Sequence, residues 1–238
     1  MKTHPTIRRG FTLMETVIAI GVLAVLLTAF MAVFGPAATA IRKSVSAQEA
    51  DRLVSSLEEE LAILRTGQTG TTAFDKAFTW ILNASKNPAV PIMIYQYRAM
   101  PSASSVRADG TMPPYTSKTG TAGTDYVLQT GVRLRSDTLF SSDLAAVEGP
   151  VFAVLTTQLV FKNGQLVKGT AGVIADPVAG STSSNSDQYP SAVIAFSADF
   201  YLLPSSAPAY LQTGGTFNPA TLATNSKPVF TRNLAVRR

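Results

Sequence analysis

The chain of 238 residues has no cysteine, one histidine and one tryptophan, and each scarcity closes a class of chemistry. Without cysteine there is neither a disulfide framework nor a thiolate metal site. The one histidine is His4, near the amino terminus, so Ser-His-Asp catalysis, Cys-His catalysis and imidazole metal ligation have almost nothing to draw on. Also missing are a G-x-S-x-G turn, an S-x-x-K motif, a Walker phosphate loop and a spaced D-x-D-x-D-G calcium loop. The expectation is a protein with no enzymatic activity, no cofactor and no metal.

Surplus charge is scarce as well. The formal balance is +5, but Lys2, Arg8 and Arg9 fall within the first ten residues; without them 17 basic side chains face 15 acidic ones, an excess of +2. That is too even for the broad basic footprint of a nucleic-acid binder, so nucleic acid is not among the expected partners.

One long apolar run stands against these absences. Residues 11–34 are apolar except for Thr12, Glu15, Thr16 and Thr28. A helix crossing the hydrocarbon core needs roughly 20 such residues at about 1.5 Å each, so the segment reads as a membrane span. A carboxylate in that setting costs a few kcal/mol and calls for a partner, and none is evident nearby in the sequence as written. A cut after Gly10 would place a new α-amino group on Phe11, about 6 Å along the helix axis from Glu15. Lys2, Arg8 and Arg9 before the span favour a cytoplasmic amino terminus, although Arg42 and Lys43 on the far side weaken the bias.

Arg8-Arg9-Gly10 followed by Phe11-Thr12-Leu13-Met14-Glu15 and an apolar helix resembles the cleavage and methylation signature of the type IV pilin and type II secretion pseudopilin superfamily. The resemblance covers about the first quarter of the chain, with pilin-like proteins of verrucomicrobial gene cassettes as one candidate closer relative. It implies that a prepilin peptidase cuts after Gly10 and methylates Phe11, and that Glu15 then pairs with the amino terminus of a neighbouring subunit during filament assembly. Thr16 departs from the aliphatic residue more usual after the glutamate. The implied partners are the prepilin peptidase, other pilin or pseudopilin subunits, an inner-membrane assembly platform and membrane lipid. The implied location is the inner membrane, single-pass, with the carboxy-terminal domain periplasmic or in an extracytoplasmic filament. Removing ten residues from 238 leaves 228, which together with the lack of cysteine and of a calcium loop suits a minor subunit.

Other readings of the same segment remain. A secretory signal peptide would use Ala38-Thr39-Ala40 as its cleavage site, but its apolar region is normally shorter and free of acid. A plain uncleaved anchor is compatible with the length and leaves Glu15 and Gly10 unexplained. A pilin-like binding module for DNA, sugar or secreted cargo would be favoured by Tyr95, Tyr97, Arg98, Arg133 and Arg135 on one exposed sheet face, and disfavoured by burial of the aromatics.

Beyond the span, Gly35-Pro36 is expected to kink or melt the helix. Ile41, Val45, Leu53, Leu57, Leu61 and Leu64 then form a stripe opposite charged residues that include Glu58, Glu59 and Glu60. This reads as an amphipathic helix ending near Arg65, with Gly67 just past it. From Gly67 the pattern becomes one of short β-branched runs. Strands are expected at 92–98, 126–134, 151–161, 193–203 and 229–236, with Asn163-Gly164 turning a hairpin into Leu166-Val167. Residues 101–124 and 176–191 read as exposed irregular loops, and Trp80 as a core residue beneath the helix. The fold class is therefore α+β, a long N-terminal helix packed on a small antiparallel β-sheet in a pilin-like arrangement. The divisions are leader 1–10, transmembrane helix 11–36, amphipathic helix 37–66 and extracytoplasmic β-rich domain 67–238.

Overall fold

The structure, a computed structural model, describes residues 12–86, 90–101 and 106–238, with the backbone alone for 33–47 and 86. The class is α+β: one long amino-terminal helix, α1 (Leu13–Ala62), then a shorter helix and an antiparallel sheet. Two compact units are present, residues 1–51 and 52–238.

In the first unit α1 stays helical through Gly35 and Pro36, where a kink or local melting was expected, so the helix does not melt there. Proline withdraws a single donor, and a helix that is already nucleated on both sides keeps propagating. Residues 12–32 are exposed throughout. Leu13–Ala32 is the one described helix long and apolar enough to cross a membrane.

In the second unit the carboxy-terminal turns of α1 put Leu53, Leu57 and Leu61, spaced four apart, into the main core. The helix stops at Ala62, ahead of the expected Arg65, and Gly67 adopts positive φ (84°) in the following turn. The buried Lys76 ammonium explains the early stop, because it takes the Glu60 and Ile63 carbonyls. Glu60, expected on the solvated face, is buried and receives Lys76 at 3.1 Å and Arg65 at 2.8 Å.

Helix α2 (Ala73–Lys86) was not expected from the sequence. It starts with a capping box. The Asp75 carboxylate accepts from the Thr72 amide at 2.9 Å, while Thr72 Oγ1 accepts from the Asp75 amide at 3.2 Å. Phe74, Ala77, Phe78, Ile81 and Ala84 then face the core at helical spacing, and Trp80 joins them there as expected.

The sheet runs β2-β1-β3-β5-β6, with β4 as a short partner of β3. The strands are β1 (Ile92–Ala99), β2 (Val127–Leu134), β3 (Val147–Lys162), β4 (Gln165–Lys168), β5 (Val193–Leu202) and β6 (Phe230–Arg237). The hairpin falls where predicted, with Asn163 at φ 52° and Gly164 at φ 76°. β3 is longer than expected because its start, from Val147, pairs with β1.

Both faces of this sheet are covered. Ile92, Ile94, Phe152, Val154, Phe196 and Phe200 meet α1 and α2 on one side. Met93, Tyr95, Tyr97, Val151, Ala153 and Tyr201 lie on the other. There they pack with α3 (Thr138–Asp143), the 3₁₀ turn Leu144–Ala146, α4 (Pro208–Leu211) and α5 (Leu222–Asn225). A strand buried on both faces loses clean alternation, which accounts for the imperfect pattern of β1.

Candidate processing and assembly site

Gly10 and Phe11 lie outside the described residues. Glu15 lies in the first turn of α1 and is exposed, and the structure gives it a partner that the sequence reading did not foresee. The Thr12 amide approaches Glu15 Oε2 at 3.5 Å, and the Glu15 amide donates to Thr12 Oγ1 at 3.3 Å. This reciprocal T-x-x-E arrangement is a loose capping box, and its sequence signal, Thr12 three residues before Glu15, was available. The carboxylate thus points back along its own helix toward the Thr12 amide, where amides free of intrahelical acceptors and the positive end of the helix dipole favour negative charge.

The hydroxyls of the span are also satisfied. Thr16 Oγ1 donates to the Thr12 carbonyl at 3.0 Å, and Thr28 Oγ1 to the Ala24 carbonyl at 2.7 Å. A threonine that returns its proton to the preceding turn presents only a methyl group outward, which suits a hydrocarbon setting. Every other described side chain from Leu13 to Ala32, apart from Glu15, is apolar or glycine.

The aromatic and basic set on β1 and β2 does not form an exposed reading face. Tyr95, Tyr97, Arg133 and Arg135 are buried, and Arg98 is half-buried. The Tyr95 hydroxyl donates to the wholly buried Asp143 at 2.7 Å, and burial, reinforced by that carboxylate, pushes its pKa well up. Burial likewise pushes Tyr97 up to about 12, and its hydroxyl donates to the Met112 carbonyl at 2.8 Å. Arg133 meets Asp109 at 2.9 Å and Asp143 at 3.5 Å; Arg107 reaches Asp143 at 2.8 Å. Arg135 donates to the carbonyls of Leu211, Gln212 and Phe217. These groups pin the 106–115 segment and the short helices onto the sheet, so stretches expected as free loops are anchored. Ser183, Ser186 and Tyr189 are similarly buried in the second one.

Among the described residues no three His, Cys, Asp or Glu side chains are placed to hold a metal ion. No protein-family model, curated protein or solved structure matches this chain.

Proposed function

We propose that this chain is a minor pilin or pseudopilin subunit, cut after Gly10 by a prepilin peptidase and assembled through α1 into a type IV pilus-like or type II secretion pseudopilus filament. The observation that carries the reading is the placement of Gly10-Phe11-Thr12-Leu13-Met14-Glu15 at the head of an exposed apolar helix of bilayer length. The subunit waits in the inner membrane with its amino terminus cytoplasmic and its sheet-bearing unit periplasmic. Its function is mechanical: the cut frees the Phe11 amine, Glu15 pairs with such an amine on a neighbouring copy, and apolar helices bundle as they leave the lipid. The capped orientation of Glu15 supports this, since its carboxylate is directed at the helix end that the cut would expose.

The same capping box favours a second reading, a single-span anchored extracytoplasmic protein in which Glu15 only starts the helix. Mass spectrometry of the amino terminus, after expression with and without a prepilin peptidase, separates the two. A terminus at methylated Phe11 only when the peptidase is present supports the subunit; an intact leader in both samples supports the anchor, and a terminus near Ile41, which removes the apolar helix, overturns both.

A further inference from the structure

The sheet ends in a strand, β6, that pairs with β5 and with no other strand among the described residues. The Arg238 amide donates to the Ala192 carbonyl, which sets the phase of this antiparallel ladder. Even-numbered residues of β6 therefore turn their amides and carbonyls toward β5, and those of Asn233, Ala235 and Arg237 point away from the sheet. All three residues are exposed. The opposite edge, β2, is closed in part: the Leu134 carbonyl accepts from the Asp137 amide, and the Thr130 hydroxyl accepts from Arg52 of α1 at 3.2 Å.

Beside that edge lies a groove of about 460 Å³. Its apolar wall is formed by Leu61, Ala62, Ala73, Phe196 and Val236, with Glu58 of α1 at one rim and Arg237 and Arg238 at the other. An outer strand with outward amides and carbonyls is a template for another strand, and many proteins guard such edges with charge alone. A guard requires no recess. Here Leu234 and Val236 face α1 and α2, so a residue laid opposite Val236 on an added strand points into the groove. Its neighbour, opposite Arg237, points to the other side of the sheet.

Charge says what kind of strand fits. From residue 227 onward the chain carries Lys227, Arg232, Arg237 and Arg238 and no acidic side chain. Arg238 is committed: it donates to the Ser186 and Tyr189 carbonyls and lies over the Phe74 ring at 4.9 Å. Arg237 is exposed. Of the acids near the strand, Asp199 is engaged by Lys168 and Thr231, each at 2.6 Å, and Glu58 stands on the groove side. A carboxylate opposite Arg237 therefore meets a cation, whereas one turned into the groove meets Glu58. We propose that β6 and its groove bind an extended acidic segment of another protein, added antiparallel to the sheet, with a carboxylate opposite Arg237 and an apolar side chain opposite Val236. A second copy does not fit, since two β6 strands edge to edge bring the arginines of both copies together. Nor does the rest of this chain, whose residues outside the described set include no acid. The inference is independent of filament assembly: an uncleaved anchor would carry the same edge.

The test uses the full chain in lipid nanodiscs and the end-capped peptide Ser-Glu-Val-Thr-Val-Ser-Thr, which can set its Glu opposite Arg237 and its first Val opposite Val236. Amide hydrogen exchange by NMR and calorimetry are the readouts. The expected result is slowed exchange of the Ala235 and Arg237 amides, and weaker binding of the same peptide with Lys in place of Glu. Arg237→Glu should reverse that preference and weaken the acidic peptide about fivefold, the worth of one cross-strand charge pair. Ala235→Pro should abolish binding of either peptide with an unchanged unfolding midpoint, because the amide it removes faces away from β5. No slowing at millimolar peptide, equal binding of the two peptides, a preference unmoved by Arg237→Glu, or self-association that protects the same amides without peptide would each overturn the assignment.

Discussion

Tyr95 stands directly across the β1–β2 ladder from Gly131, and its ring fills the place where a side chain on residue 131 would begin. A Cβ built there would lie 2.6 Å from Tyr95 Cζ. The ring cannot withdraw, since it is buried against Phe140 and its hydroxyl is tied to Asp143. The glycine is therefore required for space, in a strand where glycine otherwise weakens packing.

Gly131→Ala should accordingly destabilise the protein by about 2 kcal/mol through overpacking, read as a shift of the denaturant midpoint. The same change in a Tyr95→Leu background should cost less, because the two residues compete for one space. Equal penalties in both backgrounds would show that the contact is not the cause.

Lys76 and Glu60 form an ion pair that ties α1 to α2 with both side chains nearly or wholly buried. Lys76→Met leaves the Glu60 carboxylate with Arg65 as its one cation among the described residues and frees the buried Glu60 and Ile63 carbonyls, so about 3 kcal/mol should be lost. For a unit of this size that is a fall of roughly 6–12 °C in the unfolding midpoint. Adding Glu60→Leu should restore part of it by removing the under-compensated buried charge. A single variant that melts with the wild type would refute the account.

Asp75 is held well below the usual carboxylate range, first by the hydrogen bond from Ser186 and then by Thr71, against a push upward from burial, with Thr72 adding to the lowering. The unfolded chain therefore takes up this proton first as acid is added. The stabilisation is whole above the ordinary value of 3.8 and is lost as pH falls below it toward the folded pKa. Asp75→Asn should cost about 1 kcal/mol at neutral pH and show a flatter stability profile below about pH 4. Parallel profiles for the two proteins, measured by thermal unfolding across that range, would exclude Asp75 as the source.

Glu15→Gln keeps the shape of the side chain and removes its charge. Cleavage by a prepilin peptidase should persist, while incorporation into filaments should drop at least about tenfold if the residue pairs with a charged amine in a low-dielectric helix bundle. Unchanged incorporation would confine Glu15 to its local cap.

Local signals carried further for strands than for helices. Asn163-Gly164 announced its hairpin because both turn residues must take positive φ, and strands β1, β2, β5 and β6 came within two residues of their expected ends. Helix α2 was missed although Thr72 and Asp75 frame a capping box, because Phe78-Thr79-Trp80-Ile81-Leu82 is equally apolar as strand or helix over so short a run. At the candidate site, Glu15 was legible as an acid in an apolar span, and its cap was written in Thr12. The apolar helix of bilayer length, the proposed cut site and the carboxylate are linear features, decided by residue type and spacing along one helix.

The interior of the sheet-bearing unit was decided elsewhere. Whether Glu60 is solvated or buried depends on Lys76, sixteen residues away. Whether Tyr95 and Arg133 read a ligand or brace the fold depends on Asp109 and Asp143 arriving from separate segments. Sequence by itself determined the α+β order and the bilayer-length helix, since hydrophobic periodicity is a local property. Only the tertiary structure decided which polar groups are paired in the interior, because that is a matter of distance in space.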